Sequence, residues 1–78
     1  MFSYNQDKVD EMVLALMYLT SFEDEFGTFS WKGYDWDSLK RLHEKGLISN
    51  PVGKAKSVAL SPEGKALMEK LFELNFAN

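Results

Sequence analysis

Leu39-Lys40-Arg41-Leu42-His43-Glu44-Lys45-Gly46-Leu47-Ile48, read together with Ser57-Val58-Ala59-Leu60-Ser61-Pro62-Glu63, decides the fold of this 78-residue chain. The first stretch predicts a helix over 35–45 that buries Trp36, Leu39, Leu42 and His43 in one stripe. Asp35 is placed to cap its free amides, and Gly46 to end it in a left-handed turn. Lys40, Arg41, Glu44 and Lys45 are then expected to face outward. Leu47-Ile48-Ser49 reads as a short strand. Asn50-Pro51-Val52-Gly53-Lys54-Ala55-Lys56 is a turn-rich basic tip, and 57–60 returns antiparallel with Val58 and Leu60 on one face. Ser61-Pro62-Glu63 opens a last helix that runs to about Asn75, with Ser as cap and Pro in the first turn. Its apolar set is Leu67, Met68, Leu71, Phe72 and Leu74.

Upstream, the spacing of Val9, Met12, Val13, Leu16, Met17 and Thr20 predicts a first helix over 7–20, capped by Asp7. Residues 21–34 are less regular. Glu23-Asp24-Glu25 and Gly27 read as a loop, and Phe29 and Trp31 alternate in strand fashion, giving a third short strand at 28–32. Six of the chain's aromatic residues crowd between Phe22 and Trp36, and most of them are expected to pack. The prediction is therefore an α+β fold, mostly helical: three helices and a small antiparallel hairpin, with residues 1–78 as a single domain.

Composition narrows the function. A hydrophobic fraction of 45% with 27% charged residues is that of a globular chain. Without cysteine there is no disulfide frame, thiolate metal site or cysteine nucleophile. No apolar run is long enough for a membrane span, and the opening Met1-Phe2-Ser3-Tyr4 is unlike a secretory leader, so a cytoplasmic location is expected. Net charge is −3, unevenly spread: −4 over residues 1–34, +2 over 35–60 and −1 over 61–78. Catalysis is not expected. His43 and Glu44 are adjacent and diverge on a helix, Gly53-Lys54 lacks the rest of a phosphate loop, and no nucleophile and base pair up. Neither metal, cofactor nor small-molecule substrate is expected; the acidic trio lacks the spacing of a calcium loop.

The helix, the Gly-Leu-Ile stop, the basic tip and the Leu-Ser-Pro-Glu-Gly closure over 35–75 resemble the second half of bacterial winged-helix transcriptional regulators. That resemblance implies a winged-helix-like shape with the hairpin as wing, and a C-terminal helix of the kind that often forms dimers. The whole chain more closely resembles a family of short bacterial proteins without an assigned function, on Trp31-Lys32-Gly33, Asp35-Trp36-Asp37 and the Leu42 to Ile48 motif. A full helix-turn-helix has a middle helix that residues 21–34 do not supply.

Two partner classes follow. The first is another protein or a second copy, docked on the aromatics Phe22, Phe26, Phe72 and Phe76. The alternative is double-stranded DNA, with Lys40, Arg41 and Lys45 of helix 35–45 at the groove and Lys54 and Lys56 of wing 50–57 on the backbone. Five phosphate contacts imply a salt slope of about −4.5.

Overall fold

The computed structural model describes residues 1–78. Helix α1 spans Gln6–Met17 and tightens into a 3-10 turn at Tyr18–Thr20. Strands β1 (Ser21–Asp24) and β2 (Gly27–Trp31) form a hairpin, followed by α2 (Trp36–Glu44), β3 (Ser57–Ala59) and α3 (Pro62–Phe76). The fold is α+β, with three helices and one antiparallel sheet ordered β1-β2-β3.

The expected ribbon is present but belongs to a larger sheet. Ile48 pairs with Leu60 in a single bridge. Val58 instead lies against Ser30 of β2, in a ladder that also joins Phe29 to Ala59 and Trp31 to Ser57. The loop reading of 23–25 is corrected: Glu23 and Asp24 are strand residues opposite Thr28 and Gly27. An edge strand tolerates such acids because its outer side faces water. Gly27, at φ 139°, brings the chain out of the turn in a conformation open to glycine.

The caps follow simple chemistry. Asp35 accepts from the Ser38 amide at 3.1 Å, and Ser61 from the Gly64 amide at 2.9 Å. Gly46, at φ 75°, ends α2: its amide donates to the His43 carbonyl and the Leu47 amide to that of Leu42. At α1 the cap is Asn5 rather than Asp7, its side chain accepting from the Lys8 amide at 3.0 Å.

One core gathers Leu14, Ala15 and Met17 of α1, Leu39 and Leu42 of α2, Ile48, Val58 and Leu60 of the ribbon, and Met68 and Leu71 of α3. Helix α1 is central, packing against both other helices. Its buried stripe is Asp10, Leu14 and Met17, one helical step from the predicted phase, so Leu16 is exposed. A carboxylate takes a core position there because a cation from α2 meets it. Trp36 is also corrected: it is half exposed, and the inner face of α2 is Ser38, Leu39 and Leu42. The aromatic stretch is mostly surface, since Phe22, Phe26 and Trp31 join Trp36 in being exposed. His43 lies outside the buried stripe, where its Nδ1–H donates to the Ile48 carbonyl at 3.0 Å and ties α2 to the ribbon.

Candidate interaction surfaces

The five cations expected to act together are divided by the fold. Arg41 turns back onto α1, its Nε donating to Asp10 Oδ2 at 2.7 Å and its Nη2 to Oδ1 at 2.9 Å. Lys45 sits 3.2 Å from Asp7 Oδ1 and 3.9 Å from Asp10 Oδ2. Asp10 is fully buried. Burial pushes its carboxyl up, but hydrogen bonds from Arg41 and Ser38 and the charges of Arg41 and Lys45 outweigh it, leaving the pKa below the ordinary carboxylate value. The Asp10 hydrogen bond raises the Arg41 pKa in turn. Lys40, Lys54 and Lys56 remain exposed with no acid within ion-pair distance. Lys32, which the charge pattern did not single out, donates from Nζ to the carbonyls of Pro51 at 2.6 Å and Gly53 at 3.0 Å. It holds the basic tip in place.

Of the four interface aromatics, Phe22 and Phe72 line one surface trough and Phe76 adjoins Phe72 at its end. Its wall is α3. Its other side is the 3-10 turn after α1 and the start of β1. Tyr18 lies at the middle, with its ring centroid 4.6 Å from Phe72, which is 5.3 Å from Phe76. Two shallow depressions, of about 410 and 440 Å³, meet at Tyr18 and Glu69. Leu19, Phe22 and Met68 line the first; Phe72, Glu73 and Ala77 line the second. Leu19 is 68% exposed despite its apolar side chain. Phe22 borders the trough from β1, its ring stacked on Phe29 at 5.6 Å on the sheet's outer face. Phe26 is not part of the trough: it is 82% exposed at the hairpin tip.

Acids edge the trough. Glu23 is engaged by Lys65 of α3 and by the Thr28 hydroxyl, which hold its carboxyl below the ordinary range, and Lys65 is raised in return. Glu69 and Glu73 have no cation within ion-pair distance.

A family model described as a domain of unknown function, DUF6429, matches residues 5–78. The chain belongs to the DUF6429 family. It is similar to "Uncharacterized protein y4hR" of Sinorhizobium fredii (strain NBRC 101917 / NGR234), at 46% identity over 72 residues, covering 92% of this chain and 93% of that protein. No solved structure matches the chain.

In this DUF6429 chain the sequence motifs have structural roles. A Cβ on Gly33 would stand inside the Trp31 ring, so Gly33 makes room for the indole two residues before it. Along Leu42 to Ile48, Leu42 and Ile48 enter the core, His43 bonds across to Ile48, Lys45 pairs with Asp7, and Gly46 makes the turn. None of these residues reaches the trough, whose sequence signal was the apolar residues Phe22, Phe72 and Phe76.

Proposed function

We propose that this protein is a small non-enzymatic module that works by binding another protein along the trough between α3 and the 3-10 turn. The observation that carries this reading is the Tyr18-Phe72-Phe76 ladder, an aromatic row at the surface in which Tyr18 and Phe76 are exposed and Phe72 is half-buried. Exposed aromatic surface of this kind is enriched where proteins dock. A second copy is the poorer occupant. A two-fold contact sets a patch against itself, so two rims that each carry Glu69 and Glu73 would share one interface.

The order α2, ribbon, α3 supports a winged-helix-like shape for 35–75, although a β-hairpin stands where a helix-turn-helix has its middle helix. Duplex DNA read by α2 would rely on Lys40, Lys54 and Lys56, because Asp10 and Asp7 draw Arg41 and Lys45 to α1. Three phosphate contacts give a salt slope of only about −2.7.

A photocrosslinking phenylalanine analogue at Leu19, in bacterial cells expressing the chain, tests the reading. The expected product is a discrete adduct heavier than two chains, absent when the analogue replaces Lys54. Equal adducts from both positions, or one at twice the chain mass, would contradict it. In a gel shift, tight duplex binding that is lost on charge reversal at Lys54 and Lys56 would move the function to DNA.

A further inference from the structure

We infer that the occupant of the trough is a cationic amphipathic helix of about three turns, an inference that rests on the protein-binding reading above. The length comes from α3: its flank from Lys65 to Ala77 runs for about 18 Å at 1.5 Å per residue, which a helix of roughly a dozen residues matches. The apolar part comes from the floor. Leu19 and Met68 in one depression and Phe72 in the other offer successive seats, divided by Tyr18, for side chains one helical turn apart. Methionine adapts its shape to such guests.

The sign of the charge comes from the rim. Glu69 and Glu73 are one turn apart on α3 and repel each other; Lys65 acts on Glu69 only through space, and no cation of this chain lies within ion-pair distance of either acid. Lys65, one turn before Glu69, is occupied by Glu23. A lysine or arginine from a partner would relieve that repulsion. The charged residues that line the trough agree in sign: Glu23, Glu69 and Glu73 stand against Lys65 alone. Such a field favours encounter with a positive partner over a negative one.

The test is a display selection from a random library of 14-residue peptides on the whole protein. Clones that still bind a Leu19→Asp, Phe76→Ser variant are removed; both side chains are exposed, so the variant is expected to fold. The retained peptides should carry net positive charge with apolar residues at i, i+3 or i+4, and i+7. Glu69→Lys with Glu73→Lys should weaken their binding at least about ten-fold, and added salt should weaken it too. Retained peptides that are neutral or anionic, or indifferent to the double reversal, would overturn this inference and leave the protein-binding reading standing. If every clone survives on the Leu19, Phe76 variant, or none is enriched, that reading falls as well.

Discussion

Asp10 is the residue whose chemistry reaches furthest. Its buried carboxylate is met by two charge-assisted bonds from Arg41 and by Lys45 at the edge of the pair. Removing one partner leaves the other unmatched, and the two removals are unequal. Arg41→Ala leaves the buried carboxylate with only Ser38 and the more distant Lys45, and should destabilise the chain in urea unfolding. Asp10→Ala should cost less, because the Arg41 side chain is 23% exposed and can turn outward. The pH dependence has a definite sign. A folded-state pKa below the unfolded value gives stability that is full above about pH 4 and is lost as pH falls through the folded pKa. In Arg41→Ala, burial acts unopposed by that guanidinium, so the acid loss should begin at higher pH. An onset unchanged in the variant would remove Asp10 from the account. Trp36→Ala is the contrasting case: a ring 50% exposed should cost about 1 kcal/mol or less.

Elements were legible in the sequence where their ends carry chemistry. Ser61-Pro62-Glu63 and Gly46 marked α3 and α2 because capping is local, and the Val58, Leu60 alternation marked a strand because one face is buried. The hairpin Ser21–Trp31 was half hidden: its edge strand holds acids, and its Glu25-Phe26 turn lacks an Asn-Gly signal. The phase of α1 was hidden by Asp10, since a hydrophobic count passes over a core carboxylate whose partner lies far along the chain. The trough was partly legible: Phe22, Phe72 and Phe76 were marked as interface residues, but their joining through Tyr18 is tertiary. Two outcomes test the elements. Gly64 sits so close to the Leu47 carbonyl that a Cβ would overlap it, so Gly64→Ala should destabilise by about 1–3 kcal/mol in thermal or urea unfolding. Lys32→Met should leave global stability nearly intact while amide exchange quickens across 50–56, because only the loop loses its anchor. Slow exchange there in the variant would show that the loop holds itself.

At the scale of the molecule, the fold is a slab of 43 × 34 × 18 Å. Its accessible surface of 5439 Å² exceeds the roughly 4,900 Å² usual for a monomer of 9.0 kDa. Part of that surface is aromatic and apolar: Leu19 and Tyr18 at the trough, Leu74 and Phe76 at the end of α3. No helix is long and apolar enough to cross a membrane. On the protein-binding proposal, a partner covers the trough when the protein works. Hydroxyl-radical footprinting of the purified chain and of the same chain inside cells tests that most directly. Tyr18, Phe72 and Phe76 should react in the purified chain and be protected in cells, while Phe26 and Trp36 react in both. Equal reaction of the three trough rings in both settings would contradict it.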